Sequence, residues 1–328
     1  MFPRQFIGGY HMLTVQKFGG SSLADAEGLC RAAALCIRER QKGRDAAMVV
    51  SAMGDTTDEL LAMAYSVSSA PSARELDALM STGECSSAAL VAIALEAQGQ
   101  RAISLTGWQS GVFTDAVHGD AQITTLTCAR VRAALAHGIV PVVSGFQGID
   151  SNGDVTTLGR GGSDTTAVAL AAALRAERCD IYTDVPGIYT ADPRLVPDAR
   201  LLEKIDSRDM LRLSYAGAQV LEKRSMELSL EKGVDLCLRS STGEGEGTAV
   251  QVLGEDERPE LAGLALRGGT LTLVGRGARA QLPRLQRLLE DAEIEIEGSA
   301  LSRDQISFEL PREKALRGLR VLHTACFG

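Results

Sequence analysis

Short apolar runs alternate with glycine-rich breaks and helical stretches from Met12 to about Ser241. Six of these runs are predicted strands: Leu13–Val15, Ala47–Val50, Ala102–Leu105, Ile139–Val143, Asp180–Thr183 and Val234–Leu238. A run that is apolar at every position, such as Ala47–Val50, is typical of a strand buried on both faces of a parallel sheet. Strands that alternate with helices therefore predict an α/β fold with a mainly parallel sheet covered by helices on both faces.

Helical periodicity fills the intervals between these strands. The first predicted helix follows the glycine-rich segment after the first strand and ends near Arg40. The others are Asp58–Ser66, Arg74–Gln98, Ala167–Ala176 and Val220–Leu230. The helix from Arg74 to Gln98 is expected to be interrupted near Thr82-Gly83.

The composition changes after Ser240, where a polar, glycine-rich stretch is typical of a turn or linker. Beyond it, the predicted elements are a strand (Leu271–Val274), a helix (Leu282–Asp291), two strands (Ile294–Glu297 and Gln305–Leu310) and a helix (Glu313–Leu322). A βαββα pattern of this size predicts a small α+β module. The predicted organisation is an N-terminal extension (1–11), an α/β domain (12–241), a linker (242–260) and the small domain (261–328).

Composition excludes several classes of protein. With 45% hydrophobic residues the chain is not disordered, and 34 basic against 42 acidic residues give no electrostatic reason to bind nucleic acid or an anionic membrane. Seven scattered cysteines without a CxxC pair argue against a disulfide framework or a zinc site. No apolar run approaches the ~20 residues of a membrane span, and no signal-peptide pattern is recognised, so a cytoplasmic protein is expected.

The first glycine-rich break, Lys17-Phe18-Gly19-Gly20-Ser21-Ser22, directly follows a predicted strand. Ligands of open α/β sheets bind beyond the carboxyl ends of the strands. Two glycines let the main chain approach an anion, the following helix offers unpaired N–H groups, and Lys17 adds a positive charge, which together indicate a phosphate site. The segment does not match the GxxxxGK[ST] pattern, and a simple glycine turn with an exposed lysine remains an alternative.

Three further segments follow predicted strands or open predicted helices. In Leu158–Thr166, Arg160 presents a fork that suits a carboxylate, whereas Asp164 fits equally well as a helix cap or a first-turn residue. The rigid, proline-containing segment Thr183–Arg194 is typical of a ligand-binding loop, here for a nucleotide. The hydroxyl-rich Ser51–Thr57 is more often a helix-capping cluster than a binding site.

In combination, these segments resemble the aspartate kinases of the amino acid kinase family. The matching stretches are KFGGSS (17–22), VVSAMGDTTDEL (49–60), STGE (81–84), GFQG (145–148), TTLGRGGSDTTAVALAAAL (156–174) and YTDVPGIYTADPR (182–194). They cover residues 12 to 241 in the family's order, and TTLGRGGSD and TDVPGIYTADPR are diagnostic of the aspartate branch. The resemblance implies that residues 12–241 form the catalytic domain, a three-layer αβα sandwich, and that residues 261–328 form a single ACT-like domain for regulation or dimerisation.

The resemblance also implies a reaction, in which ATP and L-aspartate give ADP and 4-phospho-L-aspartate, the first step toward lysine, threonine and methionine. Mg²⁺ would be carried by ATP, with no metal ligand expected from protein side chains. The chemistry agrees with the residues, because a substrate carboxylate with a pKa of ~4 is already ionised at neutral pH and needs no general base. Catalysis would then consist of positioning and positive charge around the transferring phosphoryl group.

On the phosphoryl side of the site, the resemblance implies that Lys17 stabilises charge on the transferring group and that Asp164 organises the reacting end. The nucleotide would be held by the first glycine-rich segment and by residues further along the chain: Lys17, Phe18, Gly19, Gly20, Ser21, Thr183, Asp184, Tyr189, Arg194 and Gln219. At position 219 some family members have a lysine in a GAK or GSK segment. Gln219 keeps a hydrogen-bonding group there but lacks the charge, for which Lys223 is a candidate substitute.

On the aspartate side, the resemblance assigns Ser51 and Thr57 to holding the substrate, with Ser163 nearby. Glu84 would face the ammonium group and Arg160 the α-carboxylate. Without the resemblance, Glu84 would be interpreted as a solvated helix residue.

In the family, two ACT domains follow the kinase domain, and here only the last of them is recognised. Feedback by lysine or threonine is therefore expected to be absent or altered, and a homodimer or higher homo-oligomer formed partly through this domain is expected. Two alternatives stay open: an amino acid kinase with another acceptor, and a non-catalytic regulatory subunit of the same fold. A nicotinamide-dependent dehydrogenase fits poorly, because no GxGxxG follows the first strand.

Overall fold

The computed structural model describes residues 12–218, 220–243 and 245–328. The predicted extension 1–11 and Gln219 lie outside these ranges. The described residues form two compact units, the first made of the chain up to Thr183 with Ser241–Gly243, the second of 184–240 and 245–328. Residues 184–240 thus share a unit with the C-terminal module, and the predicted domain organisation stays a prediction.

The first unit is built on parallel strands alternating with helices. Its strands are β1 (Leu13–Phe18), β2 (Asp45–Val50), β3 (Ala102–Leu105), β4 (Val112–Thr114), β5 (Ile123–Leu126), β6 (Val140–Ser144), β7 (Gln147–Ile149), β8 (Val155–Thr157) and β9 (Arg178–Thr183). Its helices are α1 (Ala26–Gln41), α2 (Thr56–Val67), α3 (Ala73–Ala97), α4 (Ala129–Ala136) and α5 (Gly162–Leu174). Five strands lie parallel in the order β9-β1-β2-β6-β3, which confirms the predicted α/β class.

Buried apolar side chains account for the central position of β2 in this sheet. All residues of β2 from Ala46 to Val50 are fully buried, as expected for a strand covered on both faces. The core on one face combines Met48 and Val50 with Leu29 of α1 and Val91 of α3. A second sheet, β5-β4-β7-β8, was not predicted, because its strands of three or four residues are too short for a recognisable period.

Helix α3 is continuous, so the predicted interruption near Thr82-Gly83 is wrong. Ser72 caps its first turn by accepting the Glu75 N–H. Gly83 serves close packing, because a Cβ at this position would lie 2.9 Å from the Cβ of Ala52. The helix is long and apolar enough to span a membrane by composition alone, but 56% of its most apolar window is buried within the protein, as in a core helix.

The second unit contains two groups of hydrogen-bonded strands. The elements before the C-terminal module are β10 (Lys204–Asp206), α6 (Ser207–Ala216), α7 (Lys223–Lys232), β11 (Leu236–Ser240) and β12 (Thr248–Gln251), with strand order β10-β12-β11. The module itself contains β13 (Gly263–Arg267), β14 (Thr270–Val274), α8 (Leu282–Asp291), β15 (Gly298–Leu301), β16 (Gln305–Glu309) and α9 (Arg312–Phe327). Its strands form an antiparallel sheet in the order β13-β14-β16-β15.

One strand prediction for this region is wrong. The strand predicted at Ile294–Glu297 lies instead at Gly298–Leu301, because Ile294 packs into the core directly after α8. The strand β13 was missed, and β12 lies within the predicted linker.

A buried arginine joins α6 to the C-terminal module. Arg258 is 2% exposed, and its Nη2 lies 2.7 Å from Asp209 Oδ1 of α6 and 3.2 Å from Asp304 Oδ2, in the turn between β15 and β16. Its Nε is 3.8 Å from Oδ1 of Asp206, the residue that caps α6. Three buried carboxylates therefore share one guanidinium, which holds the module against α6.

Candidate active site

The carboxyl ends of four parallel strands meet at one edge of the first sheet. Phe18 pairs with Val50 on one side and with Tyr182 on the other, and Val50 pairs with Ser144. The segments that leave β1, β2, β6 and β9 consequently begin side by side. This edge is where ligands of open α/β sheets bind.

Lys17 and Asp164 form an ion pair beside this edge. Lys17 Nζ lies 2.6 Å from Asp164 Oδ1, and the two side chains are only 12% and 14% exposed. Asp164 stands in the first turn of α5, whose N-terminus adds partial positive charge. The Asp164 oxygen has no aligned hydrogen-bond donor among the described residues, so the contact is a close pairing of charges.

The two glycines after β1 serve different purposes. A Cβ at Gly20 would lie 2.7 Å from the carbonyl oxygen of Ala52, and the Gly20 oxygen accepts the Gly54 N–H at 3.0 Å. A Cβ at Gly19 would meet only Lys17 Nζ at 3.6 Å and the Tyr182 oxygen at 3.7 Å. Gly20 thus permits two loops to touch, whereas Gly19 leaves space beside the ammonium group of Lys17.

We expect Gly20→Ala to lower the free energy of unfolding by about 2 kcal/mol, because the added methyl group meets main-chain atoms that cannot move freely. Gly19→Ala, the matched control, should change it by less than about 0.5 kcal/mol. Urea denaturation of both variants tests this difference, and equal losses would contradict it.

Glu84 is buried beneath the loop that follows β2, which excludes the interpretation as a solvated helix residue. It is 3% exposed, and its Oε1 accepts the Ala52 N–H at 3.0 Å. Its Oε2 has no hydrogen-bond partner among the described residues. Burial raises the pKa of Glu84 to about 7. A buried carboxylate with one free oxygen is suited to receive a cationic group of a ligand.

The remaining predicted aspartate-binding residues belong to the same unit. The buried Ser163 packs closely against Gly145, which follows β6. Arg160 is exposed in the loop before α5 and forms no ion pair with the described residues. Ser51 follows β2, and Thr57 is half-buried in the first turn of α2. Their assignment to one aspartate molecule stays a prediction.

Two residues of the first glycine-rich segment differ in accessibility. The side chain of Phe18 is fully buried and stacks on Tyr182 with ring centroids 4.5 Å apart. A contact with nucleotide is therefore restricted to its main chain. Ser21 is exposed in the short 3₁₀ turn after β1.

The residues predicted to hold the rest of the nucleotide fall mostly in the second unit. Thr183 ends β9 in the first unit, whereas Asp184, Tyr189 and Arg194 belong to the second. Asp184 and Arg194 are exposed, Tyr189 is half-buried, and Arg194 pairs with Asp192 at 2.7 Å. That these residues complete one ATP site with Lys17 stays a prediction.

A buried aspartate near Arg160 was not found from the sequence. Asp77 of α3 accepts hydrogen bonds from Thr157 Oγ1 at 2.6 Å, from the N–H groups of Thr157 and Gly119, and contacts His118 Nδ1 at 2.8 Å. It therefore fixes the end of β8, three residues before Arg160. The sequence signal for the burial of Asp77 is its spacing of four and seven residues from Ser81 and Glu84, which places all three on one face of α3.

Comparison with known proteins identifies a matching family and individual relatives of this chain. Residues 12–240 match the amino acid kinase family. The chain is 51% identical to an aspartokinase of Geobacillus stearothermophilus over 239 residues, which are 73% of this chain and 59% of that protein. It is 44% identical to an aspartokinase of Corynebacterium glutamicum, covering 94% of this chain and 77% of that protein.

The fold resembles solved structures as well. The structure of E. coli aspartokinase III in complex with aspartate and ADP aligns with a TM-score of 0.72 at 26% identity, covering 94% of this chain and 84% of that one. The chain spans slightly less than three fifths of the length of the first curated relatives it matches.

The match extends over most of the chain, and it includes the strand ends that bring Lys17, Asp164 and Glu84 to one side of the first unit. The chain therefore belongs to the amino acid kinase family, in which its sequence groups with the aspartokinases.

Proposed function

We propose that the chain transfers the γ-phosphoryl group of ATP to the side-chain carboxylate of L-aspartate. The observation that carries the proposal is Glu84, a buried carboxylate with a free oxygen beside the strand ends, which suits the ammonium group of an amino acid. The aspartokinase relatives and the aspartate and ADP bound by E. coli aspartokinase III support the same substrates.

In the proposed reaction, a carboxylate oxygen of aspartate forms a bond to the γ-phosphorus while the bond from that phosphorus to the bridging oxygen of ADP breaks. No proton changes place, because the attacking carboxylate is already ionised near neutral pH. Lys17 stabilises the charge on the transferring oxygens, and Asp164 holds the Lys17 ammonium group in position. Gly19 leaves the space that the phosphates need.

Aspartate would be oriented by charge at both ends of its backbone. Glu84 receives the ammonium group, and the unpaired fork of Arg160 receives the α-carboxylate. Ser51, Thr57 and Ser163 supply hydroxyl groups around the substrate. This arrangement favours a zwitterionic acceptor over a nucleotide or carbamate.

Magnesium enters the proposal with the nucleotide, so that the phosphoryl donor is MgATP. Among the residues that the structure describes, no three histidine, cysteine, aspartate or glutamate side chains form a group that could hold a metal ion. In the proposal, the metal ion neutralises charge on the triphosphate.

The wider setting follows from the same proposal. The product would enter lysine, threonine and methionine biosynthesis in the cytoplasm, and the chain would work as a homo-oligomer formed partly through the C-terminal module. Tyr189, Asp184 and Arg194 would contact the nucleotide.

The proposal is tested by incubating the protein with MgATP and each of several acceptors, and by trapping acyl phosphate as the hydroxamate. We expect hydroxamate with L-aspartate and much less with glutamate or N-acetylglutamate. A preference for another acceptor would replace the proposed substrate. ADP release without any acyl phosphate would contradict carboxyl transfer altogether.

A further inference from the structure

Thr190 lies within the predicted nucleotide segment and is tied to the C-terminal module. It is buried, and its carbonyl oxygen accepts the N–H of Leu264, in β13, at 2.7 Å. Its Oγ1 accepts the Arg200 N–H at 3.0 Å and lies 2.9 Å from Nε2 of His323, in α9. Main chain and side chain of one residue are thus both held by the module.

Neighbouring residues extend this attachment. Arg320, one turn before His323 in α9, donates from Nε to the Leu195 oxygen at 2.9 Å. Ala191 and Val196 belong to the buried core of the module itself. The segment is therefore attached to the module at Thr190, Ala191, Leu195 and Val196, and these attachments support its exposed side chains.

His323 is a polar residue on the buried face of α9. It is 2% exposed on the core-facing side of α9, near the ring of Phe327, where a leucine would also pack. Burial and the nearby Arg200 hold the pKa of His323 below its ordinary value, so the imidazole is neutral near pH 7. The Thr190 hydroxyl donates to Nε2 or accepts from it according to the tautomer of the neutral imidazole. A buried polar pair of this kind fixes the orientation of the two side chains more than it raises the free energy of unfolding.

We propose that His323 is a positioning residue for ATP, which acts by orienting Thr190 and with it the adjacent Tyr189 on the nucleotide segment. The inference rests on the proposed function, because it takes the 189–200 segment to contact ATP. Its consequence is that the C-terminal module contributes to the affinity for ATP.

The test compares His323→Leu with His323→Gln, whose amide can still bond to Thr190. We expect His323→Leu to raise KM for ATP by about 3- to 10-fold, the effect of one buried hydrogen bond, with kcat and KM for aspartate within about twofold. His323→Gln should stay near the wild type. Leu289→Ala, in the buried core of α8, is the matched control, since it destabilises the same module without a hydrogen bond to the segment.

An unchanged KM for ATP in a folded His323→Leu protein would overturn the proposal. So would an equal rise in both KM values, or the same rise in Leu289→Ala, because either result would indicate a purely structural role. If His323→Leu is recovered unfolded, Thr190→Val removes the same bond from the other side, together with the bond from the Arg200 N–H, and an unchanged KM for ATP in this variant would overturn the proposal.

The failure of the proposed function would be distinguishable. If the wild type makes no acyl phosphate from aspartate, ATP binding is measured directly by calorimetry. Weaker ATP binding by His323→Leu would then uphold the positioning role while the acceptor is rejected, and equal binding would overturn it.

Discussion

Replacing Lys17 with methionine is expected to lower kcat by about 1,000-fold or more while the protein stays folded. Methionine keeps the length and the apolar part of the side chain, so the loss measures the ammonium group itself. In the structure this group lies 2.6 Å from Asp164 at the edge where the strand ends meet. The measurement is hydroxamate formation at saturating substrates, with thermal unfolding of the same preparation.

Lys42→Met provides the matched control. Lys42 also pairs with a carboxylate at 2.6 Å, that of Glu39, but its side chain is 51% exposed at the end of α1. It should retain wild-type kcat. If the Lys17 variant kept more than about a tenth of the wild-type kcat, transition-state stabilisation by this group would be ruled out.

Glu84→Gln is expected to change substrate binding and stability in opposite directions. Glutamine retains an oxygen for the Ala52 N–H but removes the charge that would face the ammonium group. We expect KM for aspartate to rise roughly 30- to 100-fold, the loss of a buried charge-assisted hydrogen bond, with little change in KM for ATP. Glu96→Gln, an exposed glutamate in the same helix, should alter neither.

The stability effect follows from the pKa of Glu84, which burial raises from 4.5 to about 7. The folded state binds this proton more tightly than the unfolded state. The contribution of Glu84 is therefore complete below about pH 4.5 and is lost as the pH rises to about 7, up to about 3 kcal/mol in all. Denaturation at pH 8 should show Glu84→Gln to be more stable than the wild type, and equal stability would mean that the carboxylate is not buried in solution.

Aspartate binding should improve as the pH rises, whereas the contribution of Glu84 to stability is lost. The ionised carboxylate receives the ammonium group, so KM for aspartate in the wild type should fall as the pH rises through about 7. The glutamine variant should lack this fall. Steady-state kinetics of the wild type and of Glu84→Gln between pH 6 and about 8 test this difference.

The sequence predicted the parallel strands well, because residues such as Met48 and Val49 leave no polar face. It failed where tertiary packing overrides local preference. Gly83 suggested a helix break, yet it lies inside α3 because the loop with Ala52 needs the space. The burial of Glu84 was hidden for the same reason, since only the fold shows which loop covers this face of the helix.

The ion-pair cluster around Arg258 bears on any attempt to exchange C-terminal modules between aspartokinases. A graft made after β12 that carried no equivalent arginine would break the buried ion pair between Arg258 and Asp209, and Asp209 would keep only the partly exposed Arg212 as an arginine partner among the described residues. Breaking a buried ion pair in this way costs about 3–5 kcal/mol, a large share of the stability of an ordinary domain. A working chimera would have to transplant the arginine and its acidic partners as a single set.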